Sequence, residues 1–217
     1  MFEKSRNFKM QWKRQWKEYK KTMPHWAKSF KPSVLAKDFI KTLNKNKITS
    51  GKILEIGCGV GRDAFFISEQ GFDVTGVDIA PEAIAFSKQR RRGENKNVRV
   101  KFLVADAEKL PFKNNYFDGA YSIGVFHSTN LKKSLKELAR VLKKNGLAII
   151  HLYEKTIFLP SNKLEVAYSS AEIKKILKRL PLRILNFRSN IGKTRPDYDE
   201  KLGLHKHSIV IMFLKRI

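Results

Sequence analysis

Two carboxylates and three glycines carry the chemistry this sequence can do. Glu55 lies near the end of the apolar run Lys52-Ile53-Leu54-Glu55-Ile56. Gly57, Gly59 and Gly61 follow at alternate positions around Cys58 and Val60, and Asp78 closes the next apolar run, 21 residues after Gly57. Glycines carry no Cβ, so the chain can turn tightly off a strand and let a ligand approach its backbone N–H groups. A carboxylate at a strand tip can accept hydrogen bonds from the two hydroxyls of a ribose. Together these residues predict a nucleoside-binding site.

The elements that must position them follow from the flanking pattern. Lys52–Ile56 reads as a strand, Arg62–Gln70 as a helix closed by Gly71, and Phe72–Asp78 as a second strand, which makes one βαβ unit. Two cofactor classes fit it. A nicotinamide dinucleotide site prefers Gly-x-Gly-x-x-Gly and needs its pyrophosphate bound at the helix N-terminus. Here Arg62 takes the place of that third glycine, which arrives one residue early. S-adenosylmethionine has no phosphate but carries a cationic amine and a sulfonium, for which Glu55 is a complement. Spacing and Glu55 both favour S-adenosylmethionine.

At these residues the chain resembles the class I S-adenosylmethionine-dependent methyltransferases, of the methyltransferase domain 11/25 type. The likeness is carried by Leu54–Gly61, by Val77-Asp78-Ile79, by the run from Ala105 to Phe112 and by Phe117–Ser122, four motifs in order. The resemblance implies an α/β fold, a doubly wound, seven-stranded and mainly parallel sheet whose last strand is antiparallel, with a helical N-terminal extension. It also implies the cofactor S-adenosyl-L-methionine and a set of residues that bind it. These are Glu55, Gly57, Cys58, Gly59, Gly61, Asp78, Ile79, Asp106, Ala107 and Ser122. In that set Asp106 reaches the adenine amino group, the Ala107 N–H approaches the ring, and Ser122 meets the amino-acid portion through its backbone. Leu110-Pro111-Phe112 covers the adenine side. Cys58 sits where a small side chain is wanted, the alternative being a nucleophile.

The acceptor side is read from other residues. Phe8, Trp12, Trp16 and Tyr19 form a helical stripe among basic residues, and Pro24 and Trp26 follow. Residues 1–48 are expected to form a basic helical extension and lid, with 49–217 the methyltransferase domain, and Trp16, Tyr19 and Trp26 are expected to wall the substrate pocket. His127 follows the fourth strand, Phe117–Ile123, where a neutral-range imidazole could take a proton from the acceptor. The other reading is a histidine that only shapes the pocket. Gly57–Ala64 and the Trp/Pro/Trp-bearing leader are similar to small-molecule methyltransferases of the thiopurine and tellurite-resistance type. The Ala-Asp-Ala-x-x-Leu-Pro-Phe run is shared with quinone, lipid and sterol enzymes. A small-molecule acceptor is therefore expected.

Composition sets the rivals. Apolar residues make up 42%, which marks a globular chain. Its net charge of +25 gathers at the ends, with 14 basic against 3 acidic residues in 1–50 and 13 against 5 in 161–217. Such a field attracts RNA or an anionic membrane surface, and an acceptor on either is the alternative to a small molecule. A non-catalytic S-adenosylmethionine-binding partner of another subunit is a further one. The charged N-terminus and the lack of a long apolar run predict a cytoplasmic protein. The single cysteine, and histidines 205 and 207 without acidic company, predict no metal site.

Of the remaining elements, Ser33 is expected to cap a helix through Asn44 with Val34, Leu35, Phe39, Ile40 and Leu43 inward. Leu131–Lys144 reads as an amphipathic helix stopped by Asn145-Gly146, Gly146–Tyr153 as a strand, and Ser169-x-x-Glu172 as a capping box opening a helix to Leu180. Strands at Arg183–Phe187 and Ile209–Leu214 complete the sheet.

Overall fold

A computed structural model of the chain describes residues 2–19, 31–91, 98–158, 163–190, 197–199 and 203–217. Two helices lead, α1 (Phe2–Tyr19) and α2 (Val34–Lys45). Strands and helices then alternate: β1 (Lys52–Ile56), α3 (Arg62–Glu69), β2 (Asp73–Asp78), α4 (Pro81–Arg91), β3 (Val100–Val104) and β4 (Phe117–Ile123). The second half holds α5 (Leu131–Val141), β5 (Leu142–Phe158), β6 (Lys163–Val166), α6 (Ser170–Leu177), β7 (Leu182–Asn190), β8 (Asp197–Asp199) and β9 (Gly203–Arg216).

The main path of the sheet runs β3-β2-β1-β4-β5-β9-β7. Neighbours from β3 through β5 pair in parallel, whereas β9 lies antiparallel to both β5 and β7. This is the expected seven-stranded, doubly wound sheet with its last strand reversed. Two short strands extend it: β6 pairs with β5, and β8 with β9. The later strands run beyond their expected limits, because β5 and β9 stay paired with each other and take β6 and β8 along their extensions.

Alternation along β1 divides the core. Leu54 and Ile56 pack with Leu131, Leu135 and Leu138 of α5, while Ile53 packs with Phe39 and Leu43 of α2 and Phe65 of α3. α2 is thus built into the main core, and Ser33 caps it, its Oγ accepting the Ala36 N–H at 3.0 Å. Val34, expected inward, is 74% exposed, because the first helical turn aims it away from the sheet and leaves Leu35 to pack.

The Leu131–Lys144 expectation also needs correction. The helix ends at Val141, and Leu142 already pairs with Phe117 in the sheet. Asn145, with φ of 67°, and Gly146 make an irregularity inside the start of β5 rather than a helix stop. α6 ends at Leu177, short of Leu180, but its start is as expected. Ser169 Oγ accepts from the Glu172 N–H, and Glu172 accepts from the Ser169 N–H.

One buried polar network locks α2 and α3 to the sheet. The Tyr121 hydroxyl of β4, fully buried, donates to Asp63 Oδ2 at 2.9 Å and lies 2.6 Å from Ser33 Oγ. Asp63 Oδ1 accepts the Ser33 N–H at 2.8 Å. Tyr121→Phe would leave one Asp63 oxygen without its donor in the interior. It is expected to cost about 1–3 kcal/mol, seen as a lower denaturant midpoint with an unchanged slope.

Candidate active site

The strand order reverses between β1 and β4, and a cavity opens there at the carboxyl ends of the parallel strands. Ile56, Gly57 and Gly59 after β1, and Val77, Asp78 and Ile79 at the tip of β2, line it. Ala105, Asp106 and Ala107 continue the wall after β3, and Ile123, Gly124 and Val125 after β4. Ser128 and Thr129, with Lys9, Trp12 and Trp16 of α1, complete the lining.

The turn off β1 is held by its own backbone. The N–H groups of Gly57 and Cys58 donate to Val77 O at 2.7 and 3.0 Å, and that of Gly61 to Cys58 O at 2.8 Å. The Gly59 N–H donates to Asp78 Oδ2 and the Ala80 N–H to Asp78 Oδ1, both at 3.0 Å. Asp78 therefore clamps the glycine loop to the start of α4. Burial pushes its carboxyl up, opposed by the N–H groups of Ala80, Gly59 and Ile79. At Gly57 φ is 74°, and a Cβ there would overlap Val125 Cγ2, so both conformation and space demand glycine.

This geometry corrects one expectation and bears on the choice between the two cofactor classes. Four loop N–H groups are used inside the protein and are not offered to a ligand. A pyrophosphate needs such donors free at a helix N-terminus. Here the first turn of α3 carries buried Asp63 instead, and buried Glu55 is close enough to feel its charge. Glu55 Oε2 has no hydrogen-bond partner among the described residues, and burial, then the Asp63 charge, push the Glu55 carboxyl well above its usual range. Asp63 behind the loop opposes an anionic ligand, and the upward shift of Glu55 favours its neutral form, so Glu55 is not the charge complement expected for a cation.

Comparison with known proteins agrees with that choice. Residues 54–150 match the family described as a methyltransferase domain. Over 104 residues, 48% of this chain and 31% of its relative, the sequence is 38% identical to the sterol 4-C-methyltransferase of Caenorhabditis elegans. Over 102 residues, 46% of each protein, it is 35% identical to the demethylmenaquinone methyltransferase of Thermus thermophilus. The fold is similar to that of magnesium protoporphyrin IX methyltransferase from Synechocystis PCC 6803 with bound S-adenosylhomocysteine. That likeness has a TM-score of 0.66 at 17% identity and covers 84% of this chain and 82% of the other. Over residues 54–150 the chain is thus similar to a methyltransferase domain, and its sheet has the Rossmann-like methyltransferase fold. The chain spans less than half the length of the curated relatives it matches.

Most of the methyltransferase residues predicted from sequence meet at this cavity: Gly57, Gly59, Asp78, Ile79, Asp106, Ala107 and Trp16 line it. Gly61 sits one step behind, as the N-cap of α3. Cys58 is buried in the core, and burial raises its thiol pKa, which suits the small-side-chain role. The fully buried Ser122 hydroxyl donates to Ile56 O at 2.8 Å and ties β4 to β1, while the cavity wall begins at Ile123. Leu110 and Phe112 turn into the core beside α5 instead of covering the cavity. Trp16, only 3% exposed, sits 3.5 Å from where a Gly59 Cβ would stand, and Tyr19 packs behind it edge-on. Trp26 lies outside the described residues.

Sequence reasoning missed Lys9. Its ammonium lies 2.7 Å from Asp106 Oδ2 and 2.9 Å from Glu108 Oε1. The signal was its position, three and seven residues before Trp12 and Trp16, on their face of the helix. A lysine inside an aromatic stripe needs an anionic partner, which the linear pattern does not name.

His127 stands outside the cavity lining. Its Nδ1 accepts the Tyr153 N–H at 3.4 Å, which puts the ring proton on Nε2, and its ring packs on Tyr153 at 4.6 Å. Burial pulls its pKa down to about 3, with His151 and His207 adding, and burial pulls His151 down to about 4. Both are neutral in the folded chain, whereas the unfolded chain takes up protons near pH 6.5. Their contribution is complete above pH 6.5 and is lost as pH falls toward those values. Going from pH 7 to pH 5 should cost about 2 kcal/mol per histidine, read as a lower thermal midpoint. His151→Met should flatten this dependence; an unchanged slope would mean that the imidazole protonates without unfolding.

Proposed function

We propose that this chain is an S-adenosylmethionine-dependent methyltransferase acting on a small-molecule acceptor. The observation that carries the reading is the clamped glycine loop, whose donors are spent and whose underside is acidic, at the switch point of a methyltransferase-family sheet. When bound, the cofactor supplies an electrophilic methyl group on a sulfonium. Asp78 keeps lone pairs on both oxygens after accepting two N–H groups, enough to hold ribose hydroxyls. Asp106 accepts from the adenine amino group, and the Ala107 N–H faces the ring. Glu55 does not line the cavity; buried beneath the loop, with a backbone hydrogen bond from Ala64, it supports the loop. Gly57 and Gly59 let the nucleoside settle against the backbone, and Ser122 holds β4 in register with β1.

The acceptor end is walled by Ile123, Gly124, Val125, Ser128 and Trp12, whose indole N–H points to Ser128 Oγ at 3.4 Å. These residues align an acceptor and exclude water, which is most of what an in-line methyl transfer asks of a protein. His127 keeps its basic nitrogen on a backbone N–H, so it shapes this end and is not assigned a proton. α1 is the lid, docked by Trp16. The names of relatives acting on a sterol, a menaquinone precursor and a porphyrin support an acceptor with a large apolar body.

Calorimetric titration with S-adenosylhomocysteine tests the cofactor assignment: Asp78→Ala is expected to weaken binding by about tenfold or more, the worth of charge-assisted hydrogen bonds. Unchanged affinity would refute it. Methyl-labelled S-adenosylmethionine supplied with a fractionated lysate tests the acceptor, and label is expected in the small-molecule fraction. Label in RNA or in membrane lipid would make the basic surface a docking site, and binding without label would favour a partner-subunit role.

A further inference from the structure

Asp106, the residue assigned to the adenine amino group, already has a partner on each oxygen. Oδ1 accepts the Glu108 N–H at 2.9 Å, and Oδ2 accepts the Lys9 ammonium at 2.7 Å. Lys9 is partly buried on the inward face of α1, beside the cavity-lining Trp12 and Trp16. Burial pulls its pKa down, but Asp106 and Glu108 more than offset this and hold the ammonium above its ordinary range. Glu108 gives Lys9 a second anionic seat 2.9 Å away, so the ammonium can release Asp106 without being stranded. The same Glu108 oxygen accepts the Asn130 N–H at 2.9 Å, which fixes this seat to the N-cap of α5.

We propose that Lys9 is a specificity-determining residue that sets how sharply the site reads the 6-position of the cofactor's purine. The inference rests on the cofactor reading above. A 6-amino group is a neutral donor, and it must share or take Asp106 Oδ2 from an ammonium, whose hydrogen bond to a carboxylate is the stronger. Lys9 therefore blunts the advantage of an amino group. A 6-oxo group is an acceptor that Asp106 alone would repel, but the Lys9 ammonium, with three donors, can serve it. Both effects push the same way: with Lys9 present, amino and oxo purines are separated less than Asp106 by itself would separate them. Without Lys9, the carboxylate faces the base alone and discriminates fully.

The test is a cycle of two ligands against three proteins, read by the fluorescence of Trp12 and Trp16 or by calorimetry. S-adenosylhomocysteine and S-inosylhomocysteine are titrated into the wild type, K9M and K9R. Methionine keeps the stem length and helix propensity of lysine without the charge. The ratio of the two affinities is expected to rise about fivefold in K9M, after discounting for partial solvent exposure, and to stay near the wild-type value in K9R. An unchanged ratio in K9M, or the same rise in K9R, would overturn the role of Lys9. Because a ratio is read, a general loosening of α1 that weakens both ligands equally does not mimic the effect. Failure of the wild type to bind either ligand would instead sink the cofactor reading, and this inference with it.

Discussion

The backbone of residues 57–61 must leave β1 sideways while its neighbour β2 continues one residue further, and the rest of the site depends on this. The parallel register sets the offset, pairing Ile56 with Val77 and leaving Asp78 beyond the end of β1. Val77 O and the Asp78 carboxylate then gather the loop's N–H groups. A one-residue slip would bring the neighbouring Val77 to that tip and turn Asp78 to the other face of the sheet, and the loop would lose its clamp. Because Asp78 also holds the Ala80 N–H, the loop and the start of α4 are fixed by one side chain. A backbone satisfied in this way is rigid before any ligand arrives, and it favours ligands that ask for shape and a carboxylate over those that ask for N–H donors.

α1 is fitted to that frame by its inner face and left free on its outer one. Trp16 packs with Val60, Ala80 and Ala83 next to the clamp, and Phe86 of α4 lies against it. Lys13, Arg14 and Lys17 face solvent on the opposite side. The lid reading and the polyanion reading thus use different faces of the same helix and do not compete. Positive charge around the opening raises the local concentration of any anionic acceptor or surface. It cannot select the acceptor, because selection requires residues that line the cavity, and Lys9 is the cation that does so among the described residues.

Those parts of the fold that depend on short-range chemistry were legible in the sequence. Ser33, the Ser169/Glu172 capping box and the strand limits of β1 and β4 follow from local hydrogen bonding and apolar alternation, and they appear where the pattern puts them. The features that were not legible depend on a partner far along the chain. Asn145-Gly146 looks like a helix stop, but sheet pairing with Phe117 captures Leu142 first. The motif points to the Ser122 backbone, but it does not show that β1 presents the Ile56 carbonyl to the Ser122 hydroxyl. Lys9 looks like one more surface lysine until Asp106, 97 residues away, is brought against it. Sequence pattern located the cleft, and tertiary contact determined which polar groups remain free inside it.

The state of His127 bears on how the proposed transfer works. A general base needs an unprotonated nitrogen within reach of the acceptor and a pKa near the working pH. His127 turns its unprotonated nitrogen to the Tyr153 backbone, and burial has pulled its pKa far below neutrality. Rotating the ring to free that nitrogen would break the backbone bond and disturb the packing against Tyr153, which itself stacks on His207 at 3.9 Å. The cluster is better suited to holding the ends of β4, β5 and β9 at a fixed distance than to moving protons. In the proposed reaction, a site so built suits an acceptor that is already nucleophilic, or that loses its proton to water after the transfer. Selectivity must then come from the fit of the walls at Ile123, Val125 and Trp12, and acceptors that demand deprotonation in the site itself are disfavoured.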